Sequence, residues 1–302
     1  MAAAHKSIYS ALIANVAIAI TKFVAGSFSN SAAMIAEGFH SLVDTTNQIL
    51  LLFGLRQSKK PADAAHPFGY GKELYFYSFI VSILIFGLGG GLSIYQGILH
   101  IQAPEPLGDP LWSYVVLGLS VVFEGTSLII AIREFDKVRG ELGYWEAIRV
   151  SKDPSSFLVL FEDGAAVLGL LIVLVCLFLE HQLNMPVLDG IASLLVGILL
   201  VIVSIILARE SRSLLMGEGL SPEVRAKISQ LVENDPAVLQ SQHIISTYQS
   251  PEEVILMLIL AFREELTTTD LNQVIDRLQA RIKQEFPLIR FVIIQPETST
   301  PT

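Results

Sequence analysis

Charge is scarce in this sequence of 302 residues: only 16% are Asp, Glu, Lys or Arg, against roughly 25% in an ordinary soluble domain. The shortage is uneven. Long stretches before about residue 208 carry few charges or none, whereas 209–302 has the mixture of a water-soluble domain. Two domains follow, 1–208 and 209–302. Basic clusters are also missing. With a net charge of −9, the chain lacks the grouped Lys and Arg that phosphate binding needs, which excludes nucleic acid as a partner. The single cysteine, Cys176, lies in an apolar run. Neither an intramolecular disulfide nor a Cys-rich metal cluster is therefore possible. No His-Glu-x-x-His pair occurs, and the Gly-Leu-Gly-Gly-Gly run at 87–91 has no preceding strand. It reads as a surface for close helix packing, not as a nucleotide loop.

Long apolar runs are what the chain has instead. Crossing the hydrocarbon core takes about 20 mostly apolar residues. Six segments meet that length: 8–28, 32–55, 74–101, 111–133, 156–179 and 187–208. The fold class is an α-helical membrane protein with six transmembrane helices followed by a small α+β domain. Positive charges set the orientation. Arg56, Lys59, Lys60 and Lys72 fall in the second loop; Arg133, Lys137, Arg139, Arg149 and Lys152 in or beside the fourth; Arg209 and Arg212 after the sixth span. The other loops have none, so both termini are expected on the cytoplasmic side.

In the C-terminal part, Ser221-Pro222-Glu223 is a helix start: a hydroxyl cap, a proline and an acid in the first turn. A second helix is expected over 270–286, and strands over 243–248, 254–262 and 289–294. That order predicts a small open-faced α+β sandwich.

Ionisable side chains inside a span cost about 2.5–3.5 kcal/mol each on insertion scales, so each is a candidate for function. Lys22 lies in span one; Glu37, His40 and Asp44 in span two; Glu124 in span four; Glu162 and Asp163 in span five; Asp189 at the start of span six. His40 and Asp44 share a helix face, extended by Glu37 and Asn47. An imidazole nitrogen with carboxylate oxygens suits a borderline divalent ion such as Zn²⁺, whereas Mg²⁺ or Ca²⁺ calls for oxygen alone. The competing reading is a hydrogen-bonded pair. Glu37 and Glu124 read better as structural partners of Lys22, and Asp189 as a cap at its helix N-terminus.

Two stretches now carry a resemblance. Lys22-Phe23-Val24-Ala25-Gly26, followed by Ser31-Ala32-Ala33-Met34-Ile35-Ala36-Glu37-Gly38-Phe39-His40-Ser41-Leu42-Val43-Asp44, resembles the first two helices of the cation diffusion facilitator family. His66-Pro67-Phe68-Gly69-Tyr70-Gly71-Lys72 resembles its loop into the third. The resemblance implies six spans, a cytoplasmic ferredoxin-like domain and a homodimer. It also implies efflux of a divalent cation, Zn²⁺ first, in exchange for protons across a bacterial cytoplasmic or organelle membrane. No enzyme activity and no resident cofactor are implied. The transport site would lie between helices two and five, occupied by His40, Asp44 and Asp163. Many members carry His or Asp four residues before the aspartate that Asp163 matches, but here that position is Val159. The stretch Phe161-Glu162-Asp163-Gly164-Ala165-Ala166-Val167-Leu168-Gly169 is similar to the branch that includes the mitochondrial zinc transporter nine of animals. Glu162 is the candidate replacement ligand. It sits about 100° round the helix from Asp163, which calls for rotation or local unwinding to complete the site. Gln295-Pro296-Glu297 stands where zinc-binding members end in a His-containing segment. Two rival readings are a membrane-embedded metal hydrolase and a metal-binding or scaffold protein without transport, the latter motivated by Val159 and by the altered C-terminal end.

Overall fold

The computed structural model describes residues 2–104 and 111–297, with side chains from residue 15 onward except at 112, 138, 149, 150, 155 and 156. The loop expected between the third and fourth spans thus falls partly outside the described residues. The chain forms two compact units, Met1–Arg56 with Leu74–Arg212, and Gln57–Glu73 with Ser213–Thr302.

Helices account for the first unit. They are α1 (Ala2–Ser29), α2 (Ala32–Ser58), α3 (Glu73–Leu84), α4 (Leu92–Gln102), α5 (Leu111–Arg139), α6 (Tyr144–Val150), α7 (Pro154–Leu183) and α8 (Val187–Met216). Among the described residues, four stretches have the length and apolarity to cross a bilayer: Glu73–Gln102, Ser113–Lys137, Phe157–Leu183 and Val187–Met216. The protein is a helical membrane protein. Helix α2 has 27 residues and falls short on apolarity, not on length, because Glu37, His40, Asp44 and Asn47 interrupt it. Helix α6 lies within the stretch that the sequence predicts as a break.

The turns that join α1 to α2 and α7 to α8 each use one asparagine in the left-handed region, Asn30 at φ 53° and Asn184 at φ 51°. Asparagine tolerates that conformation better than most side chains, so the chain reverses in two or three residues. Asp189 then ties the start of α8 to the start of α2. Its carboxylate accepts from the Ser31 hydroxyl and from the amides of Ala32 and Ala33, while Ser31 Oγ accepts from Met34 N. The sequence predicts that Asp189 caps its own helix. Its bonds go to the first turn of α2, where free N–H groups need an acceptor.

Helices α3 and α4 form one span, interrupted by π-helical turns at Ile85–Gly91. Gly90 of the glycine run there packs as expected, and Gly97 and Gly197 outside it do the same. A methyl group on Gly97 would lie 2.7 Å from Leu194 N, one on Gly197 2.8 Å from Ile94 N, and one on Gly90 2.7 Å from Val201 Cγ2. These glycines bring α4 and α8 to backbone contact, the small-residue packing that serves where no hydrophobic force draws helices together. Gly87, in contrast, faces open space.

The second unit contains α9 (Pro222–Glu233), β1 (Val238–Ser250), β2 (Glu253–Phe262), α10 (Thr268–Glu285) and β3 (Ile289–Glu297). The sheet order is β1-β2-β3, with β1 antiparallel and β3 parallel to β2. Val254, Leu256, Leu258 and Leu260 alternate inward along β2 and meet Ile228 and Val232 of α9 with Leu278 and Ile282 of α10. Both helices therefore cover one face of the sheet, the open-faced sandwich read from the pattern. Ser221 caps α9 by accepting from Val224 N, and Thr267 with Asp270 forms a reciprocal box at α10. The inter-span segment 57–73 groups here. Gly71 lies so close to β1 that an added Cβ would sit 2.5 Å from Gln249 O. Asp63 accepts from the Tyr70 hydroxyl and the amides of Ala65 and His66. These bonds, the Tyr70 one foremost, hold its carboxyl below the usual range.

Candidate metal centre

Because α2 starts at the cap on Asp189, its polar face falls toward α5 and α7 in the interior of the helical unit. His40 is 3% exposed, and its Nε2 lies 3.5 Å from Asp44 Oδ2. That separation is too long for a good hydrogen bond. Among the described residues, neither His40 Nε2 nor Asp44 Oδ1 has a hydrogen-bond partner. Buried polar atoms are seldom left so.

Helix α5 packs along α7, and a cavity of about 260 Å³ opens between these helices and α2. Asp44, Glu124, Ser127, Val159, Glu162 and Asp163 line it. His40, Asp44, Asp163 and Glu162 are the candidate ligands from sequence; the last three line the cavity, and His40 is outside its lining, 3.5 Å from Asp44. Helix α7 runs unbroken through Glu162 and Asp163, yet both face the cavity. The cavity is wide enough to take two adjacent positions of one helix. Val159, one turn before Asp163, lines the same cavity.

The two cavity carboxylates of α7 each have a neutral partner. Asn47 Nδ2 donates to Glu162 Oε1 at 2.6 Å, and Ser127 Oγ donates to Asp163 Oδ2 at 2.7 Å. These partners hold the acids around the rim. Among the described residues, no three His, Cys, Asp or Glu stand close enough to hold a metal ion together. Loading an ion in this cavity therefore requires the side chains to converge. Sequence reasoning gave no role to Ser127. Its signal was the i,i+3 spacing from Glu124, which puts both on one face of α5.

A multi-pass helical unit with titratable groups around an interior cavity, followed by a small α+β domain, defines a membrane protein built to handle cations. Residues 8–216 match the model of the cation efflux transmembrane domain, and residues 220–299 that of the cation efflux protein, cytoplasmic domain. The chain belongs to the cation efflux, or cation diffusion facilitator, family. This is a family of transporters, not enzymes, and the hydrolase reading falls with that. The chain is 40% identical to the proton-coupled zinc antiporter SLC30A9, mitochondrial, of Xenopus laevis, over 72% of this chain and 39% of that protein. It thus spans well under half the length of that relative. It is 29% identical to metal tolerance protein C4 of Arabidopsis thaliana, over 99% of this chain and 74% of that one. Among solved structures, the cadmium form of a MamM C-terminal domain variant covers 26% of this chain and 98% of its own, at 18% identity and a TM-score of 0.25.

The Asn47 to Glu162 bond makes a prediction. Asn47→Ala leaves a buried carboxyl without its donor and is expected to lower stability by about 1–3 kcal/mol. Adding Glu162→Leu should recover much of that loss, since removing both partners is close to neutral. Thermal unfolding of the purified variants in detergent measures both; a double variant less stable than Asn47→Ala would contradict the assignment.

Proposed function

We propose that this protein exports a divalent cation, Zn²⁺ as first choice, in exchange for protons, with His40, Asp44, Asp163 and Glu162 as the transport site. The observation that carries the reading is the pair of buried, unpartnered atoms His40 Nε2 and Asp44 Oδ1 beside a cavity edged by Asp44, Glu162 and Asp163. One nitrogen and several carboxylate oxygens suit zinc and its first-row neighbours. Such ligands bind metal only when deprotonated, so an arriving ion displaces protons and a departing ion readmits them. Exchange then follows from opening the same ligands to either side in turn. It needs no covalent step. The names of the relatives, a zinc antiporter and a metal tolerance protein, support this reading.

Metal-driven proton flux in proteoliposomes tests it. His40→Ala, Asp44→Ala and Asp163→Ala should each reduce flux by about tenfold or more, as expected for lost metal contacts. Glu162→Gln should fall nearly as far as Asp163→Asn. Val159→His should shift preference toward Zn²⁺ over Mn²⁺, which nitrogen ligands favour less. Flux that survives all three alanine variants would place the site elsewhere. A correctly folded protein that binds metal but moves neither ion would favour the scaffold reading.

The orientation we propose is six spans with both termini in the cytoplasm, from the one-sided Lys and Arg distribution. A single cysteine placed at 103–110 should react only from the outer side, and labelling from the cytoplasmic side alone would reverse the assignment.

The active form we propose is a homodimer that pairs through the C-terminal domain without metal, since Gln295-Pro296-Glu297 brings no histidine there. Light scattering of the purified chain should give the dimer mass with and without chelator. A mass that halves on adding EDTA would contradict this.

A further inference from the structure

One ionisable group that faces the cavity has no place in the site above. Glu124 of α5 lines the wall beside Ser127, is 18% exposed, and accepts no hydrogen bond among the described residues. Its nearest charge is Lys22 of α1, whose Nζ lies 3.9 Å from Glu124 Oε1. The ammonium is fully buried and already has close partners, Glu37 Oε2 at 3.1 Å and Ser41 Oγ at 2.8 Å. Ser41 lines the cavity as well. Lys22 is thus satisfied from behind the wall, while its second carboxylate is held at the outer limit of an ion pair and turned toward the interior.

We propose that Glu124 is a further cation contact of the cavity, and that the Lys22 ammonium is the tethered charge that occupies it when no ion is bound. The proposal rests on the cavity being the cation site. A divalent ion takes Glu124 from Lys22, and Lys22 keeps Glu37 and Ser41, so no buried charge is stranded at any stage. The arrangement also discriminates by charge. Attraction scales with the charge of the cation at a given distance, so a monovalent ion offers Glu124 no more than the ammonium already there, and a divalent ion offers twice as much. Lys22 is a positioning residue in this scheme, since it acts on the ion only through Glu124.

Zn²⁺ and Mn²⁺ binding to the purified full chain, measured by titration calorimetry, tests this. Glu124→Gln should weaken binding by about tenfold or more. Lys22→Met alone would strand Glu37, so the competitor is removed as Lys22→Met/Glu37→Gln. That pair should tighten binding by a factor on the order of ten by freeing Glu124. In the Glu124→Gln background it should change nothing, because the effect runs through that one carboxylate. Glu124→Gln with unchanged affinity while Asp163→Asn loses it would overturn the proposal. So would a Lys22→Met/Glu37→Gln effect on affinity that is absent, or equal in both backgrounds, as for a purely structural pair. Loss in Glu124→Gln with full affinity in Asp163→Asn would overturn the ligand assignment above and leave Glu124 standing. Should the Lys22 and Glu37 variant fail to fold, Glu124→Gln decides alone.

Discussion

Lys22 carries its ammonium at full burial, in a helix whose surroundings give it no water. A charge there is tolerated only with partners, and breaking such a pair costs about 3–5 kcal/mol. Much of the helical unit answers to that requirement. Glu37 neutralises the ammonium, Ser41 supplies an oxygen, and Gly169 of α7 leaves the room that Glu37 needs: a methyl group there would lie 2.9 Å from Glu37 Oε1. One ion pair thereby joins α1 to α2 and sets how closely α7 approaches. His40 and Asp44 lie one and two turns further along the same helix, so their placement depends on this contact.

The same N-terminal part of α2 is held by a second buried carboxylate. Asp189, buried at the start of α8, satisfies the first amides of α2 through Ser31, Ala32 and Ala33. His100 of α4 stands 3.6 Å from the same carboxylate. Helix α8 is in turn locked to α4 by interleaved glycines. A helix that has to present polar groups to an interior cavity cannot rely on apolar packing alone for its register. Here the cap and the ion pair supply the register, while the glycine contacts supply rigidity behind it. The two cavity acids of α7 are left with neutral partners, Asn47 for Glu162 and Ser127 for Asp163.

The second unit follows ordinary rules. Alternation along β2, helical spacing in α9 and α10, and hydroxyl caps at Ser221 and Thr267 agree with one another, and the fold they specify is the one observed. Segment 57–73 is the exception. Its charges read as a membrane loop, but Gly71 packs against Gln249 of β1, a contact set by tertiary approach that local pattern does not encode.

The sequence by itself determined the class of the protein, its long apolar helices, the order of elements in the C-terminal domain and the family, because apolar run length, periodicity and capping residues are local properties. It also marked every acid that reaches the cavity, since an ionisable residue in a span stands out against its neighbours. Tertiary structure decided which of those residues meet. Glu162 and Asp163 share a cavity although adjacent on a helix, Asp189 caps α2 and not its own helix, and Glu124 faces both Lys22 and the cavity. Each of these depends on how helices pack against one another across more than a hundred residues or between non-consecutive spans, and the direction of a side chain round a helix has no meaning until its neighbours are in place.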